Sequence, residues 1–69
     1  MEKVKRIAKL SDHAAVMSRE RDAAGCFVIV VEDDGSTSIG WFAASATPHE
    51  MQNALCSAIC EHALAVGRE

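Results

Sequence analysis

Two apolar runs separated by turn chemistry constrain this chain more than any other feature: Cys26-Phe-Val-Ile-Val-Val31, then Asp33-Asp-Gly-Ser36, then Ile39-Gly-Trp-Phe-Ala43. β-Branched and aromatic residues on either side of a short turn cluster are the pattern of a β-hairpin. A two-residue type I′ turn at Asp34-Gly35 requires positive φ at both central positions, and glycine supplies one of them without steric cost. Such a turn predicts Val31 opposite Ser38, Val30 opposite Ile39, Val28 opposite Trp41 and Phe27 opposite Phe42. Because successive strand side chains alternate, Val28, Val30, Ile39 and Trp41 then share one face. Phe27, Ile29, Val31, Gly40 and Phe42 share the other. A ribbon with one wet face carries a polar residue at every second position, and here none occurs until Glu32 and Thr37. Both faces therefore need cover, and two strands leave two edges open to a second copy.

The flanking segments read as helices. Ile7, Leu10, Ala14 and Met17 recur at three- and four-residue spacing, with Lys5, Lys9, Asp12, Arg19 and Glu20 pointing elsewhere. This predicts a helical segment over residues 3–24, stopped at Gly25 and interrupted where Ser11-Asp12 offers a second N-cap. Thr47-Pro48-His49-Glu50 opens the last helix with a capping box and proline at the first helical position. That helix is predicted over residues 48–66, with Gly67 as a left-handed C-terminal cap. Met51, Leu55, Ala58, Ile59, His62 and Val66 fall on one of its faces; Glu50, Ser57, Glu61 and Arg68 define the wet side. Cys56, Cys60, Ala63 and Leu64 widen the apolar arc.

The expected fold is α+β in the order α-β-β-α, one domain over 1–69 with an antiparallel hairpin at 26–44 packed against the helices. At 69 residues such a domain buries only about 60% of its unfolded surface, and its core is worth roughly 3–5 kcal/mol net. A homodimer is the expected support. Three cysteines, at positions 26, 56 and 60, are an odd set without a disulfide framework and read as reduced thiols.

Composition excludes several classes. With 49% hydrophobic residues and a net charge of −3, the chain is expected to be ordered. The uncharged stretch Ile39–His49 carries Gly, Ser, Thr and Pro and makes a poor membrane span. No apolar segment of signal-peptide length follows Lys3, Lys5, Arg6 and Lys9, so a cytoplasmic chain is expected. Charge is split, +2 over residues 1–22 and −5 over residues 23–69, which favours approach of two copies or of a partner.

Cys56 and Cys60 project on one helical side with His49, and thiolate and imidazole are the preferred ligands of zinc. A closed site needs a fourth ligand from Cys26, His62, His13 or a second copy. Free cysteines on apolar surfaces more often serve as small packed hydrophobes, so no cofactor is expected, and a metal- or thiol-dependent sensor is the alternative reading. Asp33 and Asp34 occupy turn positions. Gly35–Gly40 lacks the Gly-Lys-Ser/Thr ending of a phosphate loop, and no nucleophile has a local His–acid partner. Catalysis is not expected. Lys3, Lys5, Arg6 and Lys9 with Arg19 and Arg21 make the best case for a small DNA-binding regulator; the net acidity and few aromatics weigh against nucleic acid.

The layout from Phe27 through the Asp-Asp-Gly-Ser turn to Trp41, followed by a capped helix Pro48–Val66, resembles small uncharacterised proteins of bacteriophages and prophages. The resemblance covers residues 26–66 and is one of architecture and turn chemistry. It implies a short, cytoplasmic, non-enzymatic protein that binds a bacterial host protein, for example an element of an antiviral defence system, and inhibits or modulates it. It carries over no binding residues. From the residues themselves, Trp41 and Phe42 are the candidate anchors of a protein-interaction module, since aromatic side chains often dominate interface energy; their alternative role is core packing.

Overall fold

A computed structural model of the chain describes residues 4–68. Its elements are β1 (Val4–Arg6), α1 (Ala8–Glu20), β2 (Gly25–Val31), β3 (Thr37–Ala43) and α2 (Pro48–Gly67). The α+β class is as expected, but the order is β-α-β-β-α. Three strands form one mixed sheet in the order β1-β3-β2, so the second hairpin strand is central.

The front of the chain departs most from expectation. Val4–Arg6 is a strand, paired in parallel with β3 through Val4↔Thr37, Lys5↔Ser38 and Arg6↔Ile39. Ile7 extends this ladder, its N–H donating to the Ile39 carbonyl at 2.9 Å. Only then does α1 begin, without a side-chain cap, and it runs unbroken through Ser11-Asp12. Free ladder positions on β3 capture residues that, by local period alone, extend the helix. At the other end Asp22 adopts φ 51°, the Ala23 N–H donates to the Ser18 carbonyl at 2.8 Å, and the Ser18 hydroxyl donates to the Ala23 carbonyl at 3.0 Å. The helix thus stops before Gly25, which opens β2 instead of closing α1.

The hairpin is antiparallel as expected, with a register one residue away from the predicted one. Val31 faces Thr37, Val30 faces Ser38, Ile29 faces Ile39, Val28 faces Gly40 and Phe27 faces Trp41. The cause is the turn. Glu32 N–H donates to the Ser36 carbonyl at 2.8 Å and Gly35 N–H to the Glu32 carbonyl at 3.0 Å, a three-residue loop with Gly35 at φ 86°. This loop needs positive φ at Gly35 alone, whereas type I′ demands it of Asp34 too. Asp34 instead accepts from the Ser36 N–H at 2.9 Å and from its hydroxyl at 2.6 Å. A one-residue slip re-sorts the faces: Trp41 now shares its side with Phe27, Ile29, Val31 and Ile39, and Phe42 its side with Cys26, Val28, Val30 and Gly40.

The Phe42 face is covered by α1, which lies across β2 and β3. A Cβ on Gly40 would overlap the backbone of Leu10 and Ser11, so the missing side chain sets how closely helix and central strand approach. At that distance only small residues fit between them. The buried residues of α1 are Ala14, Ala15 and Ser18, while Met17 of the predicted stripe is exposed and its Sδ lies 3.7 Å from Cys26 Sγ.

Between β3 and α2 the chain wraps the Ala24 carbonyl, which accepts from the N–H groups of Ala44, Ser45 and Ala46 at 2.9, 3.1 and 3.1 Å. The predicted capping box then forms: Thr47 Oγ1 accepts from Glu50 N–H at 3.1 Å, and Glu50 Oε1 accepts from Thr47 N–H at 2.9 Å. Gly67 is the last helical residue, not a left-handed cap; Arg68 follows at φ −92°. Of the predicted apolar face, only Met51 is buried and Leu55 half-buried.

Candidate functional site

The sheet face opposite α1 is where the chain presents unpaired chemistry. Alternation along paired strands puts Phe27, Ile29 and Val31 of β2, Ile39 and Trp41 of β3, and Val4 and Arg6 of β1 on this side. The Arg6 guanidinium carbon stands 4.0 Å from the centre of the Trp41 ring, a cation–π contact. Phe27 tilts against Trp41 at 46°, ring centres 6.4 Å apart. Two neighbours therefore hold the indole in place, yet 38% of Trp41 remains exposed. Around it Ile29 is 50%, Val4 67% and Val31 75% exposed.

The first two turns of α2 roof only one end of this face. Met51 tucks against Gly25, and the helix then diverges, leaving a wedge of about 420 Å³ between Phe27, Ile39 and Trp41 on the sheet and Pro48, Met51 and Leu55 on the helix. Its only side-chain heteroatoms beyond the indole nitrogen are the Met51 and Cys56 sulfurs and the Gln52 amide. Such a surface can exclude water from a complementary apolar group; it assembles no acid–base pair.

The predicted anchors are separated by the fold. Trp41 is on the open face, and Phe42, half-buried, lies beneath α1 with the Arg19 guanidinium carbon 5.9 Å from its ring centre. Cys56 and Cys60 are exposed on α2, and His49 is exposed near its start. Among the described residues no group of three or more His, Cys, Asp and Glu side chains is placed to hold a metal ion. The basic residues are also divided: Lys5 and Lys9 line a groove of about 590 Å³ shared with Glu32, Asp33 and Asp34, whereas Arg6 is on the Trp41 side. Lys3 lies outside the described residues.

Two carboxyls are held below the ordinary carboxylate range. For Asp34 the Ser36 hydroxyl is the main cause, followed by the Ser36 N–H; for Glu50 it is the Thr47 N–H, then the Thr47 hydroxyl. Both are turn and cap devices at the surface.

Val4 and Arg6 are the members of this face that the sequence reading missed. Val4 alternates with Lys5, but three residues are too few to distinguish a strand from a helix start. Among the described residues, no helix is long and apolar enough to cross a membrane. No family model, curated protein or solved structure matches this chain.

Proposed function

We propose that this chain is a non-catalytic protein-interaction module whose recognition surface is the Trp41 face of the sheet. The observation that carries the reading is the spread of exposed apolar side chains over all three strands, Val4, Trp41, Ile29 and Val31, with half-buried Ile39 among them. Apolar patches of this kind, rimmed by charge, mark association surfaces. The indole is already fixed by Arg6 and Phe27, so little side-chain freedom is lost when it becomes an anchor. An open wedge suits a broad protein surface better than a small substrate, which needs enclosure. Inhibition of a bacterial host protein is a narrower version of the same reading, with that protein as the occupant.

Photo-crosslinking in cells tests it. A benzophenone amino acid in place of Ile29 is expected to form covalent adducts with protein, while the same probe in place of Glu20, on the helix that covers the opposite face, forms none. Absence of any protein adduct at Ile29 overturns the reading.

A further inference from the structure

We infer that the Trp41 face is covered by α2 of a second copy, in a two-fold dimer in which each protomer lays its own α2 on the other's sheet. The inference rests on the reading of this face as a protein-binding surface and names its partner.

Surface area points to a missing protomer. The chain exposes 5587 Å², where a compact monomer of 7.4 kDa exposes about 4,200 Å². The excess, about 1,400 Å², exceeds the roughly 800 Å² per partner that a stable interface removes. Shape agrees: the radius of gyration is 13.0 Å, against about 11 Å for a compact chain of this length. The core is correspondingly small. Among the described residues its buried apolar side chains are Ala14, Ala15 and Met51, while Val28, Val30 and Phe42 beneath α1 are only half-buried.

The chain also carries both halves of the interface. Beyond Leu55, α2 continues for three turns on which Ile59 and Val66, on one face of the helix, are at least half exposed. The part of α2 beyond Leu55 is of a length that is marginal in water without tertiary packing, and the whole helix of 20 residues spans about 30 Å, roughly two to three times the width of a three-stranded sheet. An unpaired helix stripe and an unpaired sheet face on one chain are both satisfied by a symmetric exchange, which closes at two copies. Charge supports the same partner: α2 contains Glu50 and Glu61 and no Lys or Arg, and the face it meets carries Arg6 of β1. Opposite signs at the rim steer and orient the pair.

Sedimentation equilibrium of the full chain tests the arrangement. The wild type is expected at twice the 7.4 kDa protomer mass. Ile59→Glu on the helix and Ile29→Lys on the sheet are each expected to weaken the dimer at least about thirtyfold, and Ser57→Glu on the wet side to leave it unchanged. Mixing Ile59→Glu with Ile29→Lys restores a dimer, because one of its two seams is then native and the other opposes the new acid to the new base. Circular dichroism checks that each variant folds; should one not fold, a melting temperature of the wild type that rises with protein concentration supports the dimer, and one independent of concentration overturns it. A monomeric wild type, a dimer indifferent to both substitutions, or a mixture that stays monomeric also overturns the arrangement. A monomer that still crosslinks through Ile29 to a different protein removes the second copy and leaves the interaction reading standing.

Discussion

At the scale of single residues, Gly40 decides the most. It occupies the middle of the central strand, and its hydrogen is what Leu10 and Ser11 of α1 rest upon. Close approach then selects Ala14, Ala15 and Ser18 as the buried side of the helix and turns Met17 outward. Gly40→Ala is expected to cost about 1–3 kcal/mol, the usual penalty of overpacking where a backbone must shift, read from denaturant unfolding at fixed protein concentration. A glycine inside a strand pattern is a visible mark of close approach; which element approaches is not, because Leu10 and Gly40 are brought together only by the fold. The alternation that divides Trp41 from Phe42 was legible, since neighbours in a strand always oppose. Which companions each would have was not, because that follows from a register set at the turn.

Elements differ in how locally they are determined. The capping box of α2 was readable because Thr47 and Glu50 satisfy each other's backbone N–H groups within four residues. Thr47→Ala is expected to cost about 1 kcal/mol of stability by thermal or denaturant unfolding. The same cap gives a pH dependence of definite sign. Glu50 is held below its unfolded pKa by the Thr47 N–H and hydroxyl, so its contribution is complete above the ordinary carboxylate range and is lost as pH falls through its depressed folded value. Helicity followed by circular dichroism during acid titration should fall in that window, and Glu50→Gln, which keeps a capping acceptor but cannot titrate, should flatten that part of the curve. The hairpin was legible in kind because β-branched runs and turn residues are short-range signals, yet Asp34 preferred its side-chain bonds with Ser36 to a positive φ, and that preference moved the register. β1 left no usable trace: three residues with two basic side chains pair with β3 about thirty positions away, a contact that no local period encodes.

For the whole molecule, the small core and the long projecting helix make association and stability one question. Trp41, the single tryptophan, reports on it directly. Its emission is expected to move to longer wavelength as the protein is diluted through dimer dissociation, and to remain at long wavelength for Ile59→Glu at every concentration; an emission maximum independent of dilution in the wild type, alongside a monomeric mass, returns the indole to an open surface.

The sequence by itself determined the α+β class, the existence of the hairpin, the start of α2 and the surplus of apolar side chains. Each depends on covalent alternation, turn preference or capping over a few residues, or on composition. Only the tertiary structure decided that the first residues form a strand, that small side chains line the seam beneath α1, and that Trp41 is left on an open face with Arg6 against it. Those outcomes depend on which distant segments satisfy β3's free hydrogen-bonding groups and how closely Gly40 lets a helix approach, and both are set by space, not by neighbours along the chain.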